Sequence, residues 1–175
     1  MTSVSETLIR RVEPDDWATL REARLAALAD APYAFGSTLA REEGLAEADW
    51  RRRITRSAYF MAWRDGQRAG IAAGISEQAA RAAGADDAQP GTAHLVSMWV
   101  DPVARGRGVA DVLVQAVCRW AHDDGAERVQ LWVTDVNGRA RAFYRKMGFA
   151  STGRRQLVRP QEPDHCEEEL ARPLR

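Results

Sequence analysis

The chain has 175 residues, enough for one domain with a sizeable core, since a chain of that size typically buries roughly 70% of the surface it would expose unfolded. Its 25 basic and 25 acidic residues cancel, so it lacks the overall positive field expected of a nucleic-acid binder, and RRRITR (51–56) reads as the solvated face of a helix. Two distant cysteines and three scattered histidines argue against a disulfide framework and a zinc cluster, and the absence of a long apolar stretch or leader-like N-terminus points to a cytoplasmic protein with no membrane partner.

TLIRRV (7–12) has strand character. EPDDWATLREARLAALADAP then carries Trp17, Leu20, Leu25 and Leu28 on a helix that starts near Pro14 and stops before Pro32. After the loop YAFGST, a second helical stretch is expected around residues 45–54, followed by YFMAWRDGQRAGIAAGI, two strand patterns about the turn Asp65-Gly66. SEQAARAAGADDAQPGT (76–92) is rich in Ala, Gly, Asp and Pro, which predicts a surface excursion.

From residue 93 the pattern is strand (AHLVSMWV), helix (108–124), strand (RVQLWVT), helix (139–147). The first of these helices places Val109, Val112, Leu113, Ala116, Val117 and Trp120 on one stripe and ends at Gly125. Two successive βα units predict parallel pairing with right-handed crossover. The tail, with RRQLVRP and CEEELARPL, supplies one or two late strands, giving a mixed α/β (α+β) class in a single domain over residues 1–175.

The junction VDPVARGRGVADVL (100–113) runs from a strand through an Asp-Pro stop and RGRG into a helix. A glycine-bearing turn at a helix start presents unpaired backbone NH groups at the positive end of the helix, a site for an anion. Neither the dinucleotide fingerprint GxGxxG nor the GK(S/T) of a P-loop is present, and an isolated GxG is more often a tight turn with solvated arginines.

The order strand, short loop, R-G-R-G-V-A, helix resembles the pyrophosphate loop of the GNAT superfamily of acyl-CoA-dependent N-acetyltransferases, whose pattern is (Q/R)xxGx(G/A). Downstream, NGRARAFYRKMGF (137–149) resembles the second motif of that family. The N-terminal DWxxLRxxRLAALxxxPxAFGST is also similar to a common bacterial subgroup. The resemblance implies the GNAT sandwich, a mixed sheet whose fourth and fifth strands splay apart, here AHLVSMWV and RVQLWVT, flanked by helices. It implies acetyl-CoA as co-substrate and no metal.

By the same resemblance, Met98, Trp99 and Val100 border the pantetheine arm, with the backbone of Met98 and Val100 pairing to it. Amides of Gly106, Arg107, Gly108, Val109 and Ala110 hold the pyrophosphate, with Arg105 and Arg107 supplying charge. Asp111, in the first helical turn, is expected to face solvent. Asn137 suits the N-cap of the 139–147 helix and, by resemblance, a hydrogen bond to the cofactor arm, beside which Ala140 and Phe143 fall. Tyr144 shares a helical face with Ala140, Phe143 and Met147, so it is either a core tyrosine or, as the motif implies, the general acid for a departing thiolate.

The attacking amine must lose a proton, and His94 stands where some family members place a glutamate. A strand-start histidine bonded to backbone is the other reading, and Glu42, Glu43 and Glu77 are further candidate bases. Tyr33, Phe35 and Trp63 suit an acceptor pocket or the core. The expected activity is acetyl transfer to a primary amine of a small molecule by a monomer or homodimer, the alternatives being a protein acetyltransferase and a non-catalytic CoA-binding sensor.

Overall fold

β1 (Thr7–Arg11) leads into a proline-headed turn, Pro14–Asp16, whose Asp16 carboxylate accepts from the Glu13 amide (2.9 Å). This cap starts α1 (Trp17–Asp30). The computed structural model describes residues 6–84 and 88–174. Where one helix around residues 45–54 is expected there are two, α2 (Leu39–Glu43), capped by Thr38, and α3 (Glu47–Arg56). Five residues are too few to show a helical period, which is why α2 is silent in the sequence.

β2 (Ala58–Arg64) and β3 (Gln67–Ile75) form the expected hairpin, with left-handed conformations at Asp65 (φ 52°) and Gly66 (φ 74°). Within the 76–92 excursion, Ser76 caps a short helix, α4 (Glu77–Ala82), and residues 85–87 lie outside the described residues. Then follow β4 (Thr92–Val100), α5 (Val109–Asp123), β5 (Arg128–Thr134), α6 (Gly138–Lys146), β6 (Ala150–Leu157) and β7 (Cys166–Pro173).

The seven strands form one sheet in the order β1-β2-β3-β4-β5-β7-β6. Among the described residues only β4 and β5 pair in parallel, as the first βα unit predicts. The second unit departs from expectation, because β7 inserts antiparallel between β5 and β6 and pairs with β5 from Arg128↔Pro173 to Thr134↔Glu167. Periodicity reports a strand's faces but not its neighbours, so this insertion had no local signal.

β4 and β5 are joined only at Thr92↔Arg128, Ala93↔Val129 and His94↔Gln130, and beyond that they diverge. The cause lies at Ser97, a non-glycine residue at φ 55°, where the register against β3 also shifts. A bulge of this kind bends its strand and reverses the alternation of its faces. Leu95 and Met98 therefore both meet the core under α5, while Val96 and Trp99 meet the core under α1.

Each sheet face carries one of these cores. Leu113, Val114 and Val117 of α5 are fully buried on one side, and Leu20, Ala27 and Trp50 on the other. Val112 and Trp120 of the expected stripe are half-buried, as is Leu25 of α1, whose inward face instead includes Arg24.

Arg24 is buried because Glu42 meets it. Its Nε and Nη2 donate to the Glu42 carboxylate (3.0 and 2.9 Å), and Arg53 Nη1 donates to the same group (2.7 Å). Burial by itself raises the pKa of Glu42, but the hydrogen bonds and charges of Arg24 and Arg53 outweigh it and hold the group at about 2. A folded pKa below the unfolded value contributes stability that is complete above about pH 4.3 and is lost as pH falls towards 2. Glu42→Gln, which strands two arginines, should cost about 3–5 kcal/mol in urea unfolding at neutral pH and flatten the loss of stability between those pH values.

Candidate active site

The divergence of β4 and β5 opens a cleft of about 640 Å³. One end of it is built by the junction between β4 and α5. Asp101 caps the turn Pro102–Ala104 by accepting from the Val103 amide (3.0 Å), and the chain then passes through two left-handed glycines, Gly106 (φ 75°) and Gly108 (φ 78°). Gly108 is the N-cap of α5 and has no side chain with which to cap it. The first-turn amides of α5 thus face the cleft without an intrahelical acceptor, at the positive end of a 15-residue helix.

The free edge of β4 forms one wall. Asp101 N donates to Ala69 O (2.9 Å), so by strand alternation the backbone groups of Val100 and Met98 turn from β3 towards the cleft. The Val100 carbonyl accepts from Arg105 Nε (3.0 Å), and Arg105 Nη2 pairs with the Asp30 carboxylate. Trp99 borders the cleft, but its indole is buried in the α1-side core and its Nε1 donates to Asp30 (2.9 Å). Arg107 is exposed and does not line the cleft. Asp111, expected to face solvent, is half-buried and lines it.

α6 supplies the opposite wall. Asn137 Oδ1 accepts from the Ala140 amide (3.1 Å), the N-cap expected of it, and leaves its amide NH₂ at the cleft. Gly148 and Phe149 close the helix by donating to Arg145 O and Tyr144 O (3.0 Å each), a Schellman arrangement. Tyr144 lines the cleft while only 7% exposed, its ring tilted against Phe143 (5.3 Å between centroids) and edge-on to Phe149 (5.7 Å). Burial raises its pKa, so the hydroxyl keeps its proton well above neutrality.

The profile of the acetyltransferase (GNAT) family matches residues 18–149. The chain belongs to the GNAT acetyltransferase family. Residues 18–149 thus carry the acetyltransferase domain of a family that uses acetyl-CoA. Among curated proteins, the mycothiol acetyltransferase of Beutenbergia cavernae is 38% identical over 58 residues, 33% of this chain and 20% of that protein. The streptothricin acetyltransferase of Streptomyces lavendulae is 43% identical over 54 residues, 31% of this chain and 29% of that protein. These matches span under a third of either relative.

Solved structures match over nearly the whole GNAT chain. A GNAT acetyltransferase from Streptococcus pneumoniae superposes with a TM-score of 0.74 at 21% identity, covering 97% of this chain and 100% of that one. A ribosomal-protein-alanine N-acetyltransferase from Brucella melitensis gives 0.74 at 19% (95% and 99%). PaiA N-acetyltransferase from Thermoplasma acidophilum, in complex with coenzyme A, gives 0.66 at 16% (96% and 99%). At such identities the likeness establishes the fold.

The lining of this cleft brings together Met98, Val100, Gly106, Gly108, Val109, Ala110, Asn137, Ala140, Phe143 and Tyr144, residues that the family resemblance groups. It does not bring His94 to the cleft lining, because His94 sits at the closed end of β4, paired with Ile75 and Gln130. Glu42 is consumed by Arg24 and Arg53, and Glu77 accepts from Arg81 Nε (2.9 Å) and Gly91 N (2.8 Å); neither lines the cleft, and nor does Glu43. Tyr33 and Phe35 do, whereas Trp63 packs with the α1-side core.

Sequence reasoning missed Asp30, Ser97, Trp132 and Thr134, the last three lining the cleft of this GNAT enzyme. Asp30 carried one readable signal, since an acid at the last position of a helix opposes the macrodipole and requires a cationic partner. Among the described residues no cluster of three or more His, Cys, Asp or Glu side chains could hold a metal ion, and no helix is long and apolar enough to cross a membrane.

Proposed function

We propose that this GNAT enzyme transfers the acetyl group of acetyl-CoA directly to a primary amine of a small molecule. The observation that carries the reading is that one cleft is lined both by the uncapped N-terminus of α5 and by Tyr144, whose hydroxyl keeps its proton. The residues fit the co-substrate. Amides at Gly108, Val109 and Ala110 suit a pyrophosphate, and the free β4 edge with the Asn137 amide suits a chain of peptide-like groups.

Acetyl-CoA supplies a thioester, and the chain's own groups do the rest. The β4 edge and Asn137 orient the arm, while Phe143 and the apolar wall exclude water. The amine nitrogen bonds to the acetyl carbon as the carbon–sulfur bond breaks, and Tyr144 donates its proton to the departing sulfur, regaining one from solvent. The amine proton leaves through water, with His94 able to take part only through an intervening molecule, because it lies behind the lining.

The acceptor end favours a compact substrate. Arg159, between β6 and β7, donates from Nη2 to the carbonyls of Pro32 and Phe35 (3.0 and 2.9 Å), tying the β6–β7 loop to the segment that carries Tyr33 and Phe35 of the cleft lining. The mycothiol and streptothricin acetyltransferases, which share the local match, lend support to a small acceptor. A panel of small amines and of peptides with free N-termini or lysines, read by thiol release, tests this. Turnover confined to peptides would overturn it. With the acceptor so found, His94→Gln should be slower, because water would relay the amine proton to it; an unchanged rate would give the proton to solvent alone.

A further inference from the structure

Asp30 and Arg105 are 75 residues apart, yet they meet at the lip of the cleft. A single carboxylate oxygen of Asp30 accepts from both Arg105 Nη2 and Trp99 Nε1, and Arg105 Nε is committed to the Val100 carbonyl. The Arg105 guanidinium is thus tied on two sides before any ligand arrives, and its charge is matched by a carboxylate. Asp30 is also the last residue of α1, where the partial negative charge of the helix terminus adds to its own. Burial disfavours the charged form of Asp30, but the hydrogen bonds from Trp99 and Arg105, with the charge of Arg105, keep it ionised.

From this geometry we infer that Arg105 serves the cleft by neutralising Asp30 and not by gripping the ligand's phosphates itself. The inference rests on the proposal that this cleft binds CoA. In this scheme Asp30 is the charge that Arg105 masks. The pair sits at the end of β4, and residues just after Asp30, among them Tyr33 and Phe35, line the same cleft. A carboxylate left unpaired there, with the α1 terminus behind it, would repel a phosphate.

The sign of a second substitution separates this role from a direct grip. R105Q uncovers Asp30 and should weaken CoA binding, read by calorimetry, on the order of tenfold, the scale of one lost charge interaction. D30N removes the repulsion with its partner and should stay within about threefold of wild type, less than half the free energy of that tenfold loss. The double variant D30N/R105Q should recover most of the affinity that R105Q loses. Acetylpantetheine, which has no phosphate, should bind all four proteins alike.

If Arg105 grips the phosphate directly, the double variant stays as weak as R105Q, which overturns the inference. A loss in D30N equal to that in R105Q also overturns it, because Asp30 would then be required to aim Arg105. Equal losses for CoA and acetylpantetheine would assign the pair to folding alone. Thermal melts establish that each variant is folded, and D30S with D30S/R105Q repeats the comparison if the asparagine variant is not. A wild type that fails to bind CoA overturns this inference together with the cofactor assignment. A wild type that binds CoA but acetylates no amine overturns only the proposed activity, and the affinities still decide the role of Arg105.

Discussion

Tyr144→Phe should lower kcat by about 10²–10⁴, the usual worth of a general acid, while CoA affinity stays within a few-fold of wild type. The two readouts separate because the substitution removes one oxygen and little packing. The ring stays between Phe143 and Phe149, and the α6 termination through Tyr144 O is a backbone bond. What is lost is a proton held at the cleft by burial, which raises the pKa of the phenol. The same burial disfavours a departing thiolate, so donor and acceptor of the proton shift in the same direction and transfer between them remains feasible. Since the folded pKa lies above the ordinary value of about 10, Tyr144 stays in its acid form across neutral and mildly alkaline pH. The variant should thus be slow at every pH from about 6 to 9, without a new ionisation in that range. Rapid-mixing kinetics with one acceptor would check this. A wild-type rate with chemistry shown to be rate-limiting would return Tyr144 to the core.

Gly108→Val should weaken CoA binding by at least about 100-fold, roughly 2.7 kcal/mol. Two physical effects add. Gly108 holds φ 78°, a region in which a β-branched residue is a genuine outlier, so the loop must be strained or must rearrange at a cost of about 1–3 kcal/mol. A Cβ at Gly108 would meet no protein atom within 4 Å, so a side chain there stands in open space at the residue that begins the uncapped first turn of α5. Valine methyls there would keep an anion from those amides, and a hydrogen bond to a charged group is worth about 1.5–3 kcal/mol. Gly108→Ala, with a smaller side chain and less strain, should fall between. Calorimetric titration of CoA, beside circular dichroism to confirm the fold, gives the answer. Undiminished affinity in a folded Gly108→Val protein would remove the loop from the pyrophosphate site.

Much of the site was legible because it is local. The left-handed Gly106 and Gly108, the Asn137 cap, the Schellman end at Gly148 and the placing of Tyr144 on the cleft face of α6 all depend on residues within about two helical turns of one another. Hydrogen bonding and φ/ψ sterics over that range are nearly independent of the rest of the chain. The same holds for the Asp65-Gly66 hairpin and for the buried stripe of α5.

Side-chain commitments were illegible wherever the partner is distant. Arg105 has the sequence of a free phosphate-binding cation, and only the packing of the α1 C-terminus against the end of β4 brings Asp30 to it. Glu42 has the sequence of a surface acid and a possible base, yet α2 folds it between Arg24 and Arg53. His94 has a suitable side chain and a suitable strand, but it lies in the short stretch where β4 and β5 remain paired, and Ser97 begins the bend only three residues later.

By itself the chain's sequence determined the longer elements, the glycine turn that starts α5 and the family, because each is encoded in contiguous patterns of hydrophobicity, glycine and capping residues. The tertiary structure alone decided where β7 inserts, where the cleft opens and which charges are already spent on each other. Those outcomes follow from register and burial between segments far apart in the chain, where many pairings satisfy the same local pattern and the packed sheet selects one.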